Sequence, residues 1–194
     1  TPSTSSAASD VYKRQRLTQA LGALLTMATM GLSDVYADNA VGLFTAHTLD
    51  WRVINDNVMG GRSLGNISRT DQFLSFHGAL NTNGGGFASI RVAAENMLPS
   101  SANGVRIRIR GDGRVYTLRL RPYNSRISYW SQFATNKGEW LEVDLPFETF
   151  WPNWRGRRLN APVITPAEVA ELGLMINDGI DGAFAIDVDW IAAY

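Results

Sequence analysis

Short runs of alternating apolar and polar residues dominate this chain, and each run is of strand length. In Phe73-Leu74-Ser75-Phe76-His77-Gly78, Leu74 and Phe76 fall on one side, and Phe73, Ser75 and His77 on the other. Phe87 to Val92 reads as the next strand, and Ala94 to Ala102 as a connection with one helical turn. The alternation is clearest from Val105 to Arg121. Val105, Ile107 and Ile109 interleave with Arg106, Arg108 and Arg110, Gly111-Asp112-Gly113 turns the chain, and Tyr116, Leu118 and Leu120 interleave with Thr117, Arg119 and Arg121. The pattern predicts a β-hairpin with one face on the core and a ladder of arginines on the other.

Further strands are expected over Ile127–Phe133, Trp140–Leu145, Leu172–Ile176 and from Phe184 to the end. In the last of these, Phe184, Ile186, Val188 and Trp190 should share one face, with Asp187 and Asp189 on the other. Pro146 opens a long irregular loop that carries Trp151, Trp154, Arg155, Arg157 and Arg158. Pro166 to Glu171 reads as one short helix, with Thr165 as its N-cap and Pro166 at its first position. Short strands and frequent turn residues predict an all-β sandwich or barrel.

The N-terminal part has a different character. Thr1 to Tyr12 is small and polar and reads as disordered. Arg14 and Arg16 then precede the apolar run Leu17–Leu32. That run suits the core of a secretory signal better than a stable membrane span. Val35-Tyr36-Ala37 places small residues for cleavage after Ala37. The expected organisation is thus a disordered start plus signal peptide over 1–37 and one β-sandwich domain over 38–194. The expected location is exported, periplasmic or secreted. The alternative is a mitochondrial transit peptide, which should form an amphipathic helix, and this run has no charged face.

Like charges on neighbouring strands repel, so the arginine ladder needs partners. Two readings stay open. Glu142, Asp144, Asp187 and Asp189 could pair with the arginines across strands. Alternatively, the ladder forms a basic face that grips an anionic or sugar ligand.

The stretch on which the rest is organised is Asp50-Trp51-Arg52-Val53-Ile54-Asn55-Asp56-Asn57-Val58-Met59-Gly60-Gly61-Arg62-Ser63. Asn and Asp start turns by bonding their own backbone, and paired glycines permit positive φ or close approach. A shaped loop pinned by Trp51 and by a buried Val58-Met59 pair is expected, serving either as a structural corner or as a ligand or partner loop. Other segments accompany it in order: Phe76-His77-Gly78, Asn83-Gly84-Gly85-Gly86-Phe87-Ala88-Ser89-Ile90-Arg91, Arg110-Gly111-Asp112-Gly113-Arg114-Val115-Tyr116, Gly138-Glu139-Trp140, Leu145-Pro146-Phe147, Arg155-Gly156-Arg157, Leu172-Gly173-Leu174-Met175-Ile176 and Asp181-Gly182-Ala183-Phe184. From about Leu49 to the C-terminus this ordered set resembles the CIA30 family, the complex I intermediate-associated protein 30 domain. The resemblance implies a jelly-roll β-sandwich of the galactose-binding-domain-like type with no known catalytic residues. It also implies a role like that of the eukaryotic members, which assist assembly of respiratory complex I.

Composition narrows the chemistry. The 194 residues carry 18 basic and 18 acidic side chains, so bulk charge favours neither nucleic acid nor an anionic membrane. Without cysteine there is no disulfide, thiol nucleophile or thiolate metal site. His47 and His77 stand far apart in sequence, and no cofactor fingerprint is present. Asn177-Asp178-Gly179-Ile180-Asp181-Gly182 is oxygen-rich like a calcium turn but lacks the bidentate Glu of an EF-hand, so a plain turn is expected. No cofactor, no metal and no enzyme activity are expected, and a hydrolase using Asp56 or Asp178 is the minor alternative.

The leading reading is a non-catalytic binding or assembly-factor domain with a protein partner. The alternative is an exported carbohydrate-binding module, in which Trp130, Trp140, Trp151 and Trp154 stack on sugar rings. The candidate binding residues are Trp51, Asn55, Asp56, Asn57, Met59, Gly60, Gly61, Arg91, Arg110, Asp112, Trp130 and Trp154.

Overall fold

A computed structural model describes residues 41–194. The expected disordered start, signal and cleavage point lie outside the described residues. Within them the chain is built from strands and short 3-10 turns, with no α-helix. In chain order the strands are β1 (Val41–Thr45), β2 (Arg52–Asn55), β3 (Leu64–Arg69), β4 (Leu74–Leu80), β5 (Ala88–Ala93), β6 (Gly104–Arg110), β7 (Val115–Pro122), β8 (Ser128–Ala134), β9 (Trp140–Pro146), β10 (Trp151–Trp154), β11 (Arg157–Arg158), β12 (Val169–Ile176) and β13 (Gly182–Ala193).

They form two antiparallel sheets. One runs β3-β4-β13-β6-β9, with β1 also on β13, and the other runs β11-β10-β8-β7-β12-β5-β2. The period-2 pattern sends one side of each sheet inward, and the two inner faces make a single core. Phe76 and Phe184 meet there with ring centroids 4.9 Å apart. Ile107 and Ile109 enter it from the first sheet, and Leu118, Leu172 and Ile176 from the second. Each such side chain removed from water contributes about 1.5–3 kcal/mol. The fold is the jelly-roll sandwich expected from the sequence.

Five local expectations need correction. First, Val105–Arg121 is not a hairpin. Strand β6 pairs with β9 and β13, while β7 pairs with β8 and β12, so Gly111-Asp112-Gly113 is a corner between the sheets. Asp112 holds that corner by accepting from Arg114 N–H, the Tyr116 hydroxyl and Ala185 N–H. A hairpin and a corner put the same residues on the core, so alternation alone does not separate them.

Second, β13 contains a bulge between Val188 and Trp190, which brings Trp190 opposite Arg108. Ile191 and Ala193 then take the core positions, and Trp190 leaves the face of Phe184, Ile186 and Val188. Third, the loop after Pro146 is ordered as a 3-10 turn followed by the β10–β11 hairpin at a sheet edge. Fourth, the short helix is one 3-10 turn, Pro166–Glu168, closed by a capping box between Thr165 and Glu168. The strand starts at Val169, so Glu171 is a strand residue. Fifth, Met59 is not a buried pin, since it is 65% exposed. Trp51 does pin that stretch, buried and donating its indole N–H to Ala46 O at 2.9 Å.

Candidate functional site

The signature stretch is an internal scaffold with Asp56 at its centre. The carboxylate is fully buried and accepts from Ser63 N–H at 2.9 Å, the Ser63 hydroxyl at 2.7 Å, Gly86 N–H at 2.7 Å and Phe87 N–H at 3.3 Å. Burial pushes its pKa up, but the Ser63 hydroxyl and the Gly86, Ser63 and Phe87 backbone bonds outweigh that and hold it below the usual carboxylate range. A Cβ at Gly61 or at Gly85 would fall inside the Asp56 carboxyl group, so both glycines are needed by close approach. Asn55 continues the scaffold, accepting from Gly65 N–H at 3.1 Å. The two glycine-rich loops, 56–63 and 82–87, are thus tied through one carboxylate. Asp178 is likewise committed internally, to a bidentate ion pair with Arg114, and Asp181 accepts from Thr82 N–H. The two carboxylates considered for hydrolysis are both held in this way.

The loops that Asp56 ties form one wall of a basin of about 900 Å³ on the outer face of the β11–β2 sheet. Its floor follows from strand register. Arg52 on β2 lies opposite Arg91 on β5, which lies opposite Gly173 on β12, then Arg119 on β7, Trp130 on β8 and Trp151 on β10. In this row Gly173 is buried beneath two arginine stems, since a Cβ there would sit 3.2 Å from Ile90 O, 3.4 Å from Arg91 Cγ and 3.7 Å from Arg119 Cβ. Glycine inside a strand marks a place where another group can come close to the backbone. Met59 and Gly84–Phe87 close one side, and Asn153, Trp154, Arg155 and Gly156 of the β10–β11 hairpin close the other. Trp130 is fixed by donating its indole N–H to the Ser128 hydroxyl at 2.8 Å.

Five arginines line the basin (Arg91, Arg119, Arg121, Arg126 and Arg155), and no acidic residue does. Beside it, Glu171 is buried and accepts from Arg119 at 2.6 Å, Arg52 at 2.9 Å and Arg121 at 3.0 Å. Burial raises the Glu171 pKa, but the Arg119 hydrogen bond and the charges of Arg119, Arg121 and Arg91 bring it below the ordinary glutamate value. Arg91 makes no ion pair among the described residues. Burial, reinforced by the Arg119 charge, pushes its pKa down to about 10, which still leaves it a cation at neutral pH.

The structure therefore divides the sequence candidates. Met59, Arg91, Trp130 and Trp154 come together in the basin. Trp51, Asn55, Asp56 and Gly61 shape the loops behind it, while Asn57 and Gly60 are exposed on the first of those loops. Arg110 lies on the other sheet, paired with Asp187 at 2.7 Å and stacked over Trp140, and Asp112 holds the corner. Residues absent from the candidate set include Arg119, Arg121, Asn153, Met175 and Asn177. Arg119 and Arg121 are legible as polar positions alternating with Leu118 and Leu120, but only the pairing of β7 with β12 separates them from the ladder on β6.

The model of the family described as Complex I intermediate-associated protein 30 (CIA30) matches residues 43–188. The chain belongs to the CIA30 family. Among CIA30 relatives, "Complex I intermediate-associated protein 30, mitochondrial" of Mus musculus is 25% identical over 170 residues, covering 74% of this chain and 52% of that protein. "Probable complex I intermediate-associated protein 30, mitochondrial" of Caenorhabditis elegans is 27% identical over 95 residues, 45% of this chain and 28% of that protein. The chain thus spans about half the length of the mouse protein or less of the nematode one.

Among solved structures the CIA30 fold is similar to the family 11 carbohydrate-binding module of a cellulosomal cellulase of Clostridium thermocellum. The TM-score is 0.56 and the identity 13%, covering 79% of this chain and 95% of that one. The same module in complex with a β-1,3-1,4-mixed-linked tetrasaccharide aligns with a TM-score of 0.51 and 10% identity, over 79% and 89% of the two chains. At these identities the likeness establishes the β-sandwich fold alone.

Proposed function

We propose that this chain is a non-catalytic binding domain that seats a protein partner in the basin between Met59 and Trp154, and that it serves assembly of complex I, with whose intermediates its CIA30 relatives are named as associated. The observation that carries the reading is the lining. Arginine, tryptophan and methionine are the residues enriched at the cores of protein interfaces, and here they converge on a basin walled by the family's own signature loops. The relatives' names are mitochondrial, which favours the transit-peptide alternative. Export, which the N-terminal pattern suggested, gains no support from them.

Carbohydrate is the second reading, because Trp130 and Trp154 line one depression beside guanidinium donors. The lining argues against a neutral glycan. Sugar hydroxyls donate as well as accept, and among the described residues the basin sets five guanidinium donors against side-chain acceptors that are only the oxygens of Ser125, Ser128, Asn153 and Asn177.

The test is capture of partners from the host's respiratory membrane fraction with the full chain, beside a Trp154→Ala, Arg126→Met variant and a Glu142→Gln control. Recovery of complex I subunits by the parent and the control, but not by the basin variant, is the expected result. Equal recovery by all three would remove the basin from the reading. Retention on mixed-linked glucan, with no protein recovered, would replace it by the carbohydrate reading.

A further inference from the structure

The region around the basin floor carries more positive charge than the carboxylate there neutralises. Arg52, Arg91, Arg119 and Arg121 surround the single carboxylate of Glu171, an excess of three positive charges among these five groups. Glu171 serves the other three arginines and leaves Arg91 without an ion pair among the described residues. The Nε–H groups of Arg91 and Arg121 are buried and have no hydrogen-bond acceptor. Unpaired donors on buried cations are costly, and native proteins rarely keep them.

Resting on the reading that the basin seats a protein partner, we infer that its floor takes an aspartate or glutamate side chain of that partner, received by Arg91 and Arg119. Three observations carry this. Arg91 and Arg119 flank the buried Gly173 in one row and both line the basin, so two guanidinium stems stand side by side on its floor. Guanidinium forks match carboxylates in shape and charge and bind them in bidentate fashion. The walls are apolar where a peptide would need them to be: Met59 is 65% exposed, Trp154 is 39% exposed, and Met175 and Phe87 lie nearby. Methionine adapts to varied apolar side chains. An acidic segment with interspersed leucines fits both features, whereas an uncharged one would leave Arg91 without an ion pair.

The experiment is a titration of the full chain, read by tryptophan fluorescence, with the blocked hexapeptide LEELEL and its uncharged twin LQQLQL. Inorganic phosphate and mixed-linked glucan are further arms. LEELEL should bind about tenfold or more tightly than LQQLQL. Arg91→Met should abolish that preference without lowering the melting temperature, and Arg106→Met, on the opposite sheet, should keep it. If Arg91→Met does not fold, Arg91→Lys serves, because it keeps the charge and loses the fork, and the preference should shrink severalfold.

Equal binding of the two peptides, or the same loss in Arg106→Met, overturns the carboxylate site and leaves the partner reading standing on the capture result. Phosphate that competes with LEELEL at equal concentration makes the site a general anion site and overturns its carboxylate assignment. Glucan binding with neither peptide bound overturns both readings. A dissociation constant for LEELEL weaker than about 1 mM overturns the inference.

Discussion

The outer faces of the two sheets are built from the same residue types in the same alternation, yet they differ in charge balance. On the β6 face, Arg106 pairs with Asp144, Arg108 with Asp189 and Arg110 with Asp187, one carboxylate for each guanidinium. Trp140 stacks beneath Arg108 and Arg110, and Tyr194 beneath Arg106. On the basin face, Arg52, Arg119 and Arg121 share Glu171, and Arg91 makes no ion pair among the described residues. The first face is satisfied by its own side chains and the second is not. A ladder of arginines is therefore no functional signal by itself. The signal is the count of carboxylates within reach, and that count is a property of sheet pairing.

The largest expected effect that would break the comparison comes from the carboxylates. Glu171→Gln leaves three arginines around a neutral group and should cost about 3–5 kcal/mol in urea unfolding, as for a buried ion pair that loses one partner. Asp144→Asn, at a residue 48% exposed at its side chain, should cost about 1 kcal/mol or less. Equal costs would mean that the two faces are energetically alike.

Acid should reveal the hydrogen-bonded carboxyls next. Asp56, Glu168, Glu171 and Asp178 all have pKa values lowered in the folded chain. The unfolded chain then binds protons more readily than the folded one as pH falls through the ordinary carboxyl range. The stability these groups contribute is fully present above that range and is lost below about pH 4–5 as the folded values are reached. Glu171→Gln should flatten part of that slope, and a slope identical to the parent's would contradict the shared-carboxylate account.

The arginines themselves should differ in sign. Arg91→Met removes a cation crowded by like charge and should raise stability by about 0.5–2 kcal/mol. Arg110→Met strands Asp187 and lifts a guanidinium from Trp140, and should lower stability by about 1 kcal/mol. Two changes of identical chemistry with opposite outcomes in the same unfolding assay would sharpen the contrast between the faces.

How much of this could be read in advance follows from what alternation encodes. Period 2 places Ile107, Ile109, Leu118 and Leu120 on the core, and the structure buries them. The signature from Asp50 to Ser63 was legible as a shaped loop, but its logic was not, because Asp56 meets Gly85 and Gly86 some thirty residues later. Val105–Arg121 read as a hairpin since a corner between sheets preserves the same inward faces. The basin was half legible. Met59, Arg91, Trp130 and Trp154 were singled out for residue type, while Glu171 was hidden in a segment that reads as helical from its Pro and capping pair. The missing element in each case was strand register, which single-sequence periodicity does not carry.

The smallest expected effect tests whether the basin wall is structural. Trp154 stands at the end of β10, 39% exposed, with only Arg155 stacked on it. Trp140 has the same chemistry on the balanced face, where it supports two arginines and meets Phe73 edge-on at 6.0 Å. Trp154→Ala should change unfolding free energy by no more than about 0.5 kcal/mol, as for a surface change, while weakening LEELEL binding severalfold. Trp140→Ala should do the reverse, costing about 1–3 kcal/mol through lost burial and stacking and leaving the peptide affinity intact. If both substitutions moved stability and binding together, the two faces would be one coupled scaffold, and the basin would lose its claim to be a separate site.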